Sequence, residues 1–183
     1  MFTFLNQMSF LTAIWLLPFA LALHEAEEWN ILRWYQRGLF VNLPAKTNTS
    51  IRTVLVFVTL FGFLWTALAA LPNNPTIAAF VLLPFAAFAV LHALQHLFYT
   101  MYFRQYVPGV ITSVVLFLPI SGYLTARAIE ENLVPVVYVV VLVILTIPVL
   151  IQTIKAGNTF PPMFRAFSHI GMVLSKWLHI SPD

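Results

Sequence analysis

Long apolar stretches separated by short polar knots set the pattern of this chain. Apolar residues run almost unbroken over residues 9–28, 52–71, 76–100, 110–127 and 135–155. Each stretch is about 18–25 residues, enough to cross a ~30 Å hydrocarbon layer as a helix rising 1.5 Å per residue. The pattern predicts an all-α fold, a polytopic membrane helical bundle of about five transmembrane helices. Two further stretches read as interfacial amphipathic helices. Residues 29–38 mix Trp29, Trp34 and Tyr35 with Arg33 and Arg37, and residues 164–179 set Arg165, His169, Lys176 and His179 among Phe, Met, Leu and Trp. Pro18, Pro84, Pro119 and Pro148 fall inside spans, and Pro18 should kink the first by freeing the carbonyl of Ile14. No repeat or composition break divides the chain, so residues 1–183 read as a single domain.

Composition reinforces the membrane assignment. The chain is 61% hydrophobic and 8% charged, whereas soluble domains carry about 25% charged residues. Ala20-Leu21-Ala22 resembles a signal-peptide cleavage site, but no Lys or Arg precedes the apolar run, so the first stretch is expected to stay as a span. The basic residues are scattered, which argues against a nucleic-acid partner. With five spans, Arg33, Arg37, Lys46, Arg52, Arg104, Lys155, Arg165 and Lys176 fall on one side and only Arg127 on the other. The asymmetry predicts the N-terminus outside and the C-terminus in the cytoplasm. There is no cysteine, so any metal must be held by nitrogen and oxygen ligands.

That topology gathers the rare ionisable residues. His24, Glu27 and Glu28 close the first span, and Glu27 and Glu28 lie within about 60° of His24 around a helix turning ~100° per residue. His92 and His96, spaced i and i+4, end the third span. Pro108, Gly109 and Thr112 open the fourth. All three groups are expected at one depth, beneath the cytoplasmic headgroups. Ionisable groups at membrane depth are costly unless paired, ligated or wetted, which makes this layer the candidate site.

Two imidazoles one helical turn apart suit a divalent metal. His24, Glu28, His92 and His96 are the candidate ligands, for zinc or else iron or manganese. Glu27 is the candidate general base, and Thr112 the candidate hydrogen-bond donor to a substrate oxyanion. Arg104 and Tyr99 are candidates for meeting the headgroup of a membrane lipid or lipidic small-molecule substrate. Glu25 reads as a solvated neighbour. The leading expectation is a metal-dependent membrane enzyme, a hydrolase acting at the cytoplasmic leaflet. A metal-free acid/base isomerase or cyclase on a polyprenyl lipid, a cation- or proton-binding transport protein and a structural partner subunit are the alternatives.

The residues carry a resemblance. His24-x-x-Glu27-Glu28, then His96, then Tyr106-Val107-Pro108-Gly109-x-x-Thr112 with Leu118-Pro119 resemble in order the pattern of the bacterial HXXEE-domain membrane proteins, over about Trp15 to Tyr123. The family often has asparagine where His92 stands here. The resemblance implies membership, a place in the bacterial inner membrane and the importance of these residues, without implying a reaction.

Overall fold

Ser9 starts the first span: its hydroxyl accepts from the Thr12 amide at 3.1 Å and caps the short helix Phe10–Ala13. Pro18 brings no amide for the Ile14 carbonyl, which turns to the Leu17 amide at 3.3 Å. The helix therefore breaks at Ile14 and Trp15 and resumes as Leu16–Glu27. The computed structural model describes residues 7–37, 39–41, 47–159 and 162–178. Among these, five helical stretches are long and apolar enough to cross a membrane: Phe10–Glu27, Asn48–Ala70, Pro75–Phe103, Val110–Glu130 and Val136–Ala156. The only β pairing among the described residues is one isolated bridge, Val41 with Thr159. The protein is an all-α membrane bundle.

The second span starts four residues earlier than apolarity indicates. Thr47 and Ser50 form a reciprocal capping box, each hydroxyl accepting the other's amide at 3.0 and 3.1 Å, which recruits Asn48–Ile51 into the helix. The third span starts on Asn74, whose side chain accepts from the Ile77 amide, with Pro75 in its first turn. Its 29 residues make ~44 Å of helix, well beyond the ~30 Å apolar layer. The overshoot carries an aromatic turn in which Tyr99 and Phe103 stack and both meet Phe40 edge-on.

The fourth span is not uniform. It begins as α-helix at Val110–Thr112, widens to a π turn at Ser113–Phe117 and returns to α at Leu118–Glu130. Pro119, which lacks an amide to continue the ladder, sits at the return. Arg127 at the far end pairs with Glu131 and donates to the Met8 carbonyl at 3.0 Å. The fourth span thus runs to Glu130, three residues beyond the expected end at residue 127.

Small residues let the first, third and fourth spans approach closely: Ala13, Ala20, Ala79, Ala86, Ala93 and Ala128 are at most 2% exposed. Of the expected interfacial helix over 29–38, only Ile31–Tyr35 is helical among the described residues, and Ile31, Leu32 and Trp34 are buried. It folds onto the bundle end because its apolar side chains find the third-span aromatics there, instead of lying free among headgroups. Arg52 holds its entry, bonding the Asn30 amide oxygen at 2.9 Å. The tail helix Pro162–Trp177 packs against the second span, where a Cβ on Gly171 would stand 2.5 Å from the Ser50 carbonyl oxygen. Gly38, Lys46 and His179 lie outside the described residues.

Candidate metal centre

His24 is fully buried at the end of the first span, with its ring tilted against Phe117 from the π turn, centroids 4.7 Å apart. Residues at i+3 and i+4 flank such a side chain on opposite sides. Glu28 turns toward the third span, where its Oε1 lies 3.1 Å from His96 Nε2. Glu27 turns toward the fourth. One helix end therefore serves two neighbours.

His24 Nε2 stands 3.0 Å from His92 Nε2, His92 Nε2 stands 3.1 Å from His96 Nε2, and Glu28 Oε1 is 3.8 Å from His24 Nε2. One ligand atom from each of the four residues lies within 4.8 Å of the other three. Tetrahedral zinc with bonds of 2.0–2.1 Å needs ligand atoms ~3.3 Å apart. Three imidazole nitrogens and one carboxylate oxygen at these spacings fit a divalent metal in both chemistry and size.

The far side of His24 supports the same reading. Thr112 Oγ1 has one proton, and it goes to the acceptor-only Glu27 carboxylate at 2.6 Å. The contact of 2.9 Å between Thr112 Oγ1 and His24 Nδ1 must then have the imidazole as donor. That assigns the Nδ1–H tautomer and leaves the Nε2 lone pair facing His92, His96 and Glu28.

Glu27 is not a free base. Its carboxylate accepts from Tyr106 Oη at 2.7 Å, the Ile111 and Thr112 amides at 3.2 and 2.8 Å, and Thr112 Oγ1. These amides open the fourth span, so Glu27 caps that helix from another segment. Burial, together with the Glu27 carboxylate it donates to, pushes the Tyr106 phenol up to about 12. Glu27, the expected base, and Thr112, the expected oxyanion donor, are thus bonded to each other, and Thr112 also to His24, an arrangement that suits the positioning of that imidazole.

Gly109 closes the cluster. It holds φ 93° at the start of the fourth span. A Cβ there would meet His24 Cε1 and His96 Cε1 at 2.7 Å each and Glu28 Oε1 at 2.9 Å. Only glycine combines that backbone with that proximity. Pro108 precedes it in the turn that the Val110 amide closes onto the Val107 carbonyl at 3.1 Å.

A cavity of about 130 Å³ opens beside the cluster, with Glu28, His92 and His96 on its wall. Tyr99 lines it too, buried in the aromatic turn. Arg104 does not: it is exposed at the left-handed end of the third span, φ 51°, where the overshoot has left the cavity behind. Glu25, expected in solvent, is 7% exposed and faces the cavity. The signal was present in the sequence, since Leu21, Glu25 and Glu28 share a stripe at i, i+4 and i+7 and all three line the cavity. Trp34 and Tyr35 complete the wall from the short helix. Burial, then the nearby Glu28, raises the Tyr35 phenol well above its ordinary value.

A family model described as "Protein of unknown function with HXXEE motif" matches residues 15–124, more than half of the chain. The "Uncharacterized protein YrkK" of Bacillus subtilis (strain 168) is 27% identical over 124 residues, covering 63% of this chain and 74% of that protein. No solved structure matches.

Proposed function

The chain belongs to the family of proteins of unknown function with the HXXEE motif, and from that premise we propose that it is a metal-dependent membrane enzyme, a hydrolase whose substrate is lipidic. The observation that carries the reading is the convergence of His24, His92, His96 and Glu28 at metal-ligand spacing on the wall of a largely apolar cavity. The Lys and Arg asymmetry supports a centre at the cytoplasmic leaflet, with the N-terminus outside and the C-terminus in the cytoplasm.

A divalent metal held there would polarise a substrate carbonyl or phosphoryl oxygen and make water a stronger nucleophile near neutral pH. His24, His92, His96 and Glu28 would hold it. Glu27 and Thr112 keep His24 in the ligating tautomer. Glu25, on the cavity wall, takes the acid/base role expected of Glu27, moving a proton at its carboxyl oxygens. Phe117 and Val107 keep bulk water from the cluster. The test is metal analysis of the purified protein followed by product analysis with candidate lipids. About one metal per chain, lost in His92→Ala/His96→Ala, together with products that have gained water, supports the reading. A metal-free protein indifferent to chelators ends it.

A second reading has one observation in its favour: Glu25 and Glu28 share the cavity wall. Two carboxyls in an apolar site suit acid/base isomerisation without metal, on a polyprenyl chain for example. Products with an unchanged formula and a rearranged skeleton would favour it.

A further inference from the structure

The cavity has a direction. Along the second span its lining runs from Ser50 to Val58, about 12 Å of helix axis. At the deep end the wall is Leu21, Val58 and Phe85, without a polar side chain. At the shallow end it is Glu25, Glu28, Gln95 and Tyr99 with the histidines. Its 130 Å³ is about ten times the ~10–15 Å³ one water requires. Phe88 lines it and is also 38% exposed, so the cavity opens toward the bundle surface beside the second and third spans.

Charge then selects the head. Among the described residues no Lys or Arg lines the cavity to pair with an anionic head, while two carboxyl side chains, Glu25 and Glu28, do. Arg52 is spent on Trp29 and Asn30, and Arg104 is exposed beyond the cluster. The shallow wall does offer hydrogen-bonding groups: Trp34 Nε1 and Tyr99 Oη are buried there and make no hydrogen bond among the described residues. An unpartnered buried donor is costly, and an uncharged oxygen satisfies it without bringing charge into a low dielectric.

We infer that the cavity receives a single-chain amphiphile whose head is an uncharged oxygen function, an ester or amide carbonyl or the alcohol that hydrolysis of the ester leaves, and that it discriminates against phosphate-headed lipids. The inference rests on the reading of this site as one that takes a lipidic substrate, and it names the class. The alkyl chain lies against Leu21, Val58 and Phe85, and the head lies at Trp34, Tyr99 and the histidines.

The test is photolabelling of the full-length protein in nanodiscs with a twelve-carbon alkanol carrying a mid-chain diazirine, competed by 1-dodecanol or dodecyl phosphate. Label is expected on peptides containing Val58 and Phe85, with dodecanol competing at concentrations at least tenfold below dodecyl phosphate. Val58→Phe, at a half-buried position, should cut labelling severalfold. Equal or better competition by dodecyl phosphate on the unaltered protein overturns the inference, as does label outside the cavity or labelling indifferent to Val58→Phe. Metal content is read on the same samples. A metal-free protein that still prefers dodecanol removes the hydrolase and keeps the ligand class. A metal-loaded protein that prefers dodecyl phosphate removes the class and keeps the metal reading.

Discussion

The third and fifth spans are nearly equal in apolarity, with mean hydropathy 2.4 and 2.6, yet 44% of the third is buried inside the bundle and 6% of the fifth. Hydropathy reports only that each belongs in a membrane; it does not say which neighbours a helix meets. What separates them is side-chain shape. The third presents Ala78, Ala79, Ala86, Ala89 and Ala93 to its neighbours, so other backbones approach it. The fifth is dominated by Val and Ile, and Thr153 is its one buried residue. That threonine hydroxyl accepts from Gln95 Nε2 at 2.7 Å, so the outer helix touches the functional one by a polar tie one turn from His92.

The comparison is broken most severely at the ligands. His92→Ala/His96→Ala on the third span should lower bound metal from about one per chain to below a tenth, by elemental analysis, while Val140→Ala/Val143→Ala on the fifth leaves it unchanged. Gly109→Ala should come next, because its Cβ would enter the cluster; most metal is expected to be lost. Gly122→Ala, with nothing within 4 Å of its Cβ, should keep metal in full. Equal behaviour of the two glycine variants would mean that the cluster is not closely packed.

Packing sharpens the contrast. Ala86→Leu on the third span overfills a site 1% exposed and should cost ~1–3 kcal/mol in detergent unfolding. Val141→Leu on the fifth, 46% exposed, should stay within ~0.5 kcal/mol. Thr153→Val removes the tie and should cost about 0.6 kcal/mol, the mean for such bonds in membranes. Smallest is Tyr106→Phe, at a half-exposed position. Its effect should also depend on pH with a defined sign. Because the folded phenol is raised to about 12, its contribution is full below the ordinary value of ~10 and is lost as pH rises through 12. A thermal-shift difference between Tyr106→Phe and the parent that persists above pH 12 would contradict this.

Much of the architecture was legible because the membrane imposes length. The spans expected at 9–28, 52–71, 76–100, 110–127 and 135–155 correspond to Phe10–Glu27, Asn48–Ala70, Pro75–Phe103, Val110–Glu130 and Val136–Ala156. The errors lie where polar chemistry extends a helix, as the Thr47–Ser50 capping box does. Of the expected ligand set, His24, Glu28, His92 and His96 come together as one group, since i, i+4 spacing and a shared depth are readable from order alone. The division of labour between Glu27 and Glu28 was not readable. Adjacent glutamates look alike until the fourth span presents its open amides to one of them. The π turn at Ser113–Phe117 was hidden for a similar reason, because Pro119 signals a disturbance but not its form. Glu25 is legible in principle, but the stripe it shares with Leu21 and Glu28 reads as ordinary amphipathicity until a cavity is seen against it.

The capping of the fourth span by Glu27 has a consequence for biosynthesis. The amides that donate to it lie 84 and 85 residues further along the chain. A ribosome adding ~5–20 residues per second leaves that carboxylate without them for roughly 4–17 seconds. During that interval the first helix must be retained at the membrane with its acidic end wetted or shielded by the insertion machinery. The order of translation thus makes the fourth helix the one whose arrival completes the first.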